Sequence, residues 1–95
     1  MTLKDKTKQK QITWDSVDHE KYKKYFLILH NDEVNTFEHV IECLTDICKH
    51  DKIQAEQCAY ITHYKGKCDV KKGTMEILKP IREKLIKRGL NVTID

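Results

Sequence analysis

With 95 residues, 35% of them charged and 39% hydrophobic, the chain has material for one small core and therefore one domain. No run of about 18 apolar residues is present to cross a membrane, and the polar first twenty residues hold no secretory apolar segment, so a cytoplasmic protein with no membrane partner is expected. The net charge of +3 resides in residues 1–24, where seven lysines face four acids, while 25–95 balance at eleven each; a neutral domain lacks the basic face that tracks phosphates, which argues against a nucleic-acid partner.

Residues 1–24 read as a flexible basic N-terminal extension, and 25–95 as the core domain. Lys4, Lys6, Lys8 and Lys10 show no apolar periodicity. Trp14 either docks on the domain, stays exposed or meets a partner. Tyr25–Leu29 is aromatic and branched and is bounded by His30-Asn31-Asp32, the pattern of a buried strand running into a turn. Asn35 followed by Glu38 fits a capping box, with Asn35 as the N-cap. Phe37, Val40, Ile41, Leu44, Ile47 and Cys48 then recur at helical spacing. Asp51 with Gln54 repeats the cap pattern and starts a second helix, whose buried side is expected at Ile53, Cys58 and Ile61. Gly66 is its expected left-handed cap. Cys68-Asp69-Val70 reads as a short strand. Gly73-Thr74 opens a third helix with a stripe of Met75, Leu78, Ile81 and Leu85, stopped by Gly89. Pro80 conflicts with that helix, so the helix either begins later than Thr74 or is kinked. Leu90–Ile94 alternates as a last strand. The order strand, helix, helix, strand, helix, strand describes an α+β domain with helices on one face of a small sheet.

The four cysteines, Cys43, Cys48, Cys58 and Cys68, contain no CxxC pair. Cys43 and Cys48 are five apart, about 140° around a helix. Reduced structural thiols are expected rather than zinc ligands or disulfides. His19, His30, His39 and His50 have no spacing that suggests a shared metal. Cys58 and His63 are likewise about 140° apart on one helix and cannot form a nucleophile–base pair. With no phosphate loop or metal motif, neither an enzyme nor a cofactor is expected.

Leu27-Ile28-Leu29-His30-Asn31-Asp32-Glu33, then a helix, then His63-Tyr64-Lys65-Gly66-Lys67 at matching distance, resembles the ClpS family of Clp protease adaptors. Thr74-Met75-Glu76-Ile77 and the terminal Leu90–Ile94 extend the resemblance to about Lys23–Ile94. It implies a three-stranded antiparallel sheet with three helices. It also implies an adaptor of the N-end rule, which binds the bulky hydrophobic N-terminal residue (N-degron) of substrates beginning with Leu, Phe, Tyr or Trp. The adaptor docks on the N-terminal domain of a ClpA- or ClpC-type AAA+ unfoldase, which works with ClpP, and the N-terminal extension takes part in delivery. A monomer is the simpler expectation.

By the same resemblance, Asn31, Asp32 and His63 match positions that bind the substrate's α-amino group. Asn35, which stands where the family has a Thr that often acts through water, is assigned to the same group. Phe37, Val40, Ala59, Thr62 and Leu90 match positions lining the side-chain pocket. Glu76 and Lys79 are assigned to the unfoldase contact. An α-ammonium needs acceptors, charged ones above all, and a neutral imidazole can accept through one nitrogen. Protonated His63 would repel the ammonium, so affinity is expected to fall below about pH 6.5. Three positions depart from the family. Phe37 replaces a Met at the rim, Ala59 replaces a Met on the second helix, and Thr62 replaces a branched apolar residue. They imply a pocket wider at its base, narrower at its rim and more polar, with aromatic first residues preferred over Leu. They also leave an alternative open: a ClpS-fold regulator that docks on the unfoldase without reading N-termini.

Overall fold

In the computed structural model, which describes residues 19–95, a one-turn helix, α1 (His19–Tyr22), leads into the central strand β1 (Lys24–His30). The sheet thus begins at Lys24, inside the segment assigned to the extension. Trp14 and the early lysines lie outside the described residues. Both sides of β1 are hydrogen-bonded, to β2 (Lys67–Thr74) and to β3 (Asn91–Ile94), each antiparallel, in the order β2-β1-β3. Leu27, Ile28 and Leu29 of this central strand are buried, whereas Phe26 is 39% exposed. Three helices, α2 (Phe37–Ile47), α3 (Lys52–Lys65) and α4 (Met75–Lys87), complete the order β-α-α-β-α-β expected for the core.

The core lies between one sheet face and the helices. Leu27 and Leu29 from β1, Val70 from β2 and Val92 from β3 meet Cys43 and Leu44 of α2, Ala55 and Cys58 of α3, and Leu78 and Leu85 of α4. Completely burying one such Leu or Val side chain contributes about 1.5–3 kcal/mol.

The helix starts follow side-chain chemistry, with one change of residue. Asp51 accepts from the Gln54 N–H at 2.7 Å, as its spacing predicts. For α2 the cap is Thr36, not Asn35: Thr36 Oγ1 accepts from the His39 N–H at 3.1 Å. Either residue type serves well as a cap, and Asn35 is engaged elsewhere. Gly66 ends α3 at φ 94°, a left-handed conformation that favours glycine.

Three other expectations change. The buried face of α3 is made by Ala55, Cys58, Ala59 and Thr62, whereas Ile53 (68% exposed) and Ile61 (45%) face outward. Small side chains let this helix sit close to α2 and β2, so its large apolar residues fall on the far side. Strand β2 is eight residues long rather than three, because the pairing offered by β1 recruits the polar Lys71 and Lys72. A register shift at Leu27/Ile28 leaves Val70 as an extra residue, and its carbonyl lies 2.7 Å from His50 Nε2. Since a carbonyl only accepts, that ring nitrogen carries the proton. Finally, α4 starts at once after its Thr74 cap and runs through Pro80. The lost bond would have gone to the carbonyl of Glu76, an exposed residue, where water can replace it.

Candidate functional site

The C-terminal end of β1 runs into a turn that faces the start of α2, the end of α3 and the entry to β3. These segments enclose a cavity of about 380 Å³, toward the small end of the roughly 300–1,000 Å³ typical of ligand pockets. Asn31, Asp32, Asn35, Phe37, Val40, Ala59, Thr62, His63 and Leu90 all line it. Glu76 and Lys79 do not; both are exposed on α4.

Asp32 is the most constrained polar group at the mouth. Its Oδ1 accepts from the backbone N–H groups of Val34 and Asn35, each at 2.8 Å, and its Oδ2 accepts from Asn35 Nδ2 at 2.8 Å. Burial pushes this carboxyl up, but the three hydrogen bonds outweigh it and hold the carboxyl below its usual value. A carboxylate has about four acceptor sites, so one on Oδ2 is open to a ligand.

Asn35 spends its amide on two partners. Nδ2 donates to Asp32 and, at 2.9 Å, to the carbonyl of Gly89 just before β3. Asn35 therefore positions Asp32 and leaves helix capping to Thr36. The backbone N–H of Asn31 donates to the Gly66 carbonyl at 2.9 Å. That bond pins the β1 turn to the end of α3, and Asn31 and His63 line the same cavity.

The apolar part begins at Phe37, the first residue of α2. Its ring lies 5.2 Å from the His63 ring and 5.3 Å from that of Tyr60. His63 also meets Tyr64 edge-on at 4.8 Å. Deeper in, Val40, Ala59, Thr62 and Leu90 form the walls. Thr62 Oγ1 donates to the Cys58 carbonyl at 2.7 Å and is buried. Its hydroxyl is satisfied within its own helix, so the cavity is less polar than the bare Thr implied.

Leu29, His30, Glu33 and Thr36 also line the cavity and were not singled out in the sequence. Leu29 read simply as core. His30 ends β1, and Glu33 and Thr36 sit in the turn and helix start where ordinary local chemistry hides any second use.

The four thiols stand apart from this site. Burial pushes all of them up, Cys48 to about 11 and Cys68 to about 12, so they are protonated at neutral pH. A protonated thiol is a poor nucleophile. Among the described residues no cluster of His, Cys, Asp and Glu could hold a metal ion, and no helix is long and apolar enough to cross a membrane.

The architecture is that of a small α+β domain with a cavity that joins an apolar interior to a carboxylate and other polar groups at its entrance. The family model for the ATP-dependent Clp protease adaptor protein ClpS matches residues 20–93, and the chain belongs to that family. It is thus an adaptor of the Clp protease system. Among solved structures, that of Agrobacterium tumefaciens ClpS2 bound to L-phenylalaninamide is similar, with a TM-score of 0.70 and 22% identity. The match covers 77% of this chain and 95% of that one. At this identity the likeness is one of fold. No curated protein matches the chain.

Proposed function

We propose that this adaptor captures substrate proteins by a free N-terminus bearing a bulky apolar first residue and passes them to a ClpA- or ClpC-type unfoldase working with ClpP. The observation that carries this reading is the cavity itself, which joins an apolar interior to three acceptors at its mouth. In this reading Asp32 Oδ2 and the Asn31 side-chain oxygen accept from the α-ammonium, with His63 as the third acceptor, while Asn35 holds Asp32 in place. The first side chain enters between Phe37 and Val40 toward Ala59, Thr62 and Leu90.

Burying one large apolar side chain contributes about 1.5–3 kcal/mol. Each charge-assisted hydrogen bond adds a similar amount. Association costs offset much of the sum, which leaves micromolar to sub-micromolar affinity. The missing Met side chain at Ala59 leaves depth, so aromatic first residues should bind more tightly than Leu. That the similar ClpS2 was captured with phenylalaninamide is consistent with this chemistry.

The test uses fluorescent peptides identical except for a first residue of Leu, Phe, Tyr, Trp or Ala, plus an N-acetylated Phe peptide. Tight binding of the bulky residues, lost on acetylation, is expected. No binding by any of them would leave the second reading, a regulator that docks on the unfoldase without reading N-termini. The replacements at Phe37, Ala59 and Thr62 are what favour that second reading.

A further inference from the structure

The outward face of α3 carries more aromatic and branched surface than a helix packed on one side requires. Tyr60 is 57% exposed and Tyr64 71%. Their rings stack on each other, with centroids 5.7 Å apart and planes 13° from parallel. This pair is joined to the cavity: Tyr60 meets Phe37 at 5.3 Å, and Tyr64 meets His63 at 4.8 Å. Phe37 and His63 both line the cavity. An aromatic shelf therefore continues from the cavity rim onto the surface, in direct contact with the groups that would hold a first residue.

We infer that Tyr60 and Tyr64 form a second subsite that reads the substrate's second residue and favours an aromatic side chain there. The inference rests on the N-terminal-capture reading above. Consecutive Cα atoms are about 3.8 Å apart. A chain whose ammonium sits at Asn31, Asp32 and His63 therefore has its second residue one such step from a cavity rim that these rings extend. A flat side chain extends an existing offset stack, the arrangement aromatic pairs prefer. An acidic side chain is disfavoured, because Asp32 and Glu33 already stand at the mouth.

The occupant is a segment of the substrate rather than a separate protein, because the shelf is continuous with the cavity. A partner unrelated to the N-terminus would need no such junction.

The test fixes Phe as the first residue and varies the second among Phe, Tyr, Ala and Asp. With the protein as it is, the aromatic second residues are expected to bind about 3- to 10-fold more tightly than Ala, and Asp more weakly than Ala. In a Tyr60→Ala/Tyr64→Ala double variant the Phe-to-Ala ratio at the second position should fall below about twofold. Tyr60→Phe keeps the ring and should keep the preference. Both tyrosines are solvent-exposed, so their replacement leaves the core intact.

A flat second-residue series in the unaltered protein, or a preference that survives the double variant, would overturn the subsite while first-residue capture stands. If the Phe-Ala peptide fails to bind, or binds equally well when N-acetylated, the capture reading falls and the subsite with it.

Discussion

Asp32 accepts three hydrogen bonds from its own turn and still keeps one acceptor site for a ligand. Replacing it with Asn removes the charge that an ammonium seeks and disturbs the turn. Asp32→Asn should weaken a Phe-led peptide by about 10- to 100-fold, the equivalent of one charge-assisted bond, as read by fluorescence anisotropy. The pH dependence follows from the same bonds. The folded carboxyl is held below its unfolded value, so its contribution to stability is fully present above about pH 4. It is lost only as pH falls through the lowered folded value. Between pH 7 and 5 Asp32 stays ionised, so its acceptor for an ammonium is unchanged across that range. At Ala59, Met would fill the depth that favours rings. Ala59→Met should weaken Phe- and Trp-led peptides by roughly tenfold relative to Leu-led ones, measured in the same series. Asp32, His63 and Ala59 enter through the family resemblance that Asn31-Asp32 and the distance to His63 carry, and the fold sets all three at one cavity. The role of Asn35 was not legible in the sequence. Asn35 and Thr36 are both good caps, and the choice between them is made by Asp32, which binds the Asn35 side chain and backbone in the folded turn.

At the scale of elements, capping signals proved legible and burial faces less so. Asp51, Gly66 and Thr74 each sit where local chemistry alone puts a helix end. The buried face of α3 is not the one its largest apolar residues, Ile53 and Ile61, mark. The helix buries Ala55, Ala59 and Thr62 because α2 and β2 approach closely, and no local pattern reports that approach. The length of β2 escaped notice for a related reason: Lys71 and Lys72 lack strand character, and the partner strand imposes it. Gly66 links the elements to the site, since its carbonyl receives the Asn31 N–H. With φ at 94°, Gly66→Ala should destabilise the fold by about 1 kcal/mol or more, seen as a lower urea midpoint with an unchanged slope.

For the molecule as a whole, the cavity and the assigned unfoldase contact lie on different elements. Glu76 and Lys79 project from the exposed side of α4, whereas the cavity is walled by the β1 turn, α2 and α3. If Glu76 and Lys79 make the unfoldase contact, one adaptor holds a substrate and a protease component together. Glu76→Lys with Lys79→Glu should lower affinity for the N-terminal domain of a ClpA- or ClpC-type unfoldase by about tenfold or more and leave Phe-peptide binding intact. Calorimetric titration with each partner separates the two effects. The overall architecture was legible because element order and resemblance agree, while the placement of α3's tyrosines depends on packing that only the assembled domain defines. The buried sulfurs carry a consequence of their own. Cys43, Cys48 and Cys58 are shielded in the core and their thiols are held protonated. A soluble alkylating reagent can reach them only when the domain opens. The unaltered protein thus contains built-in timers of its own breathing, and the mass gained in iodoacetamide, with and without a bound peptide, reports how firmly a captured N-terminus locks the fold.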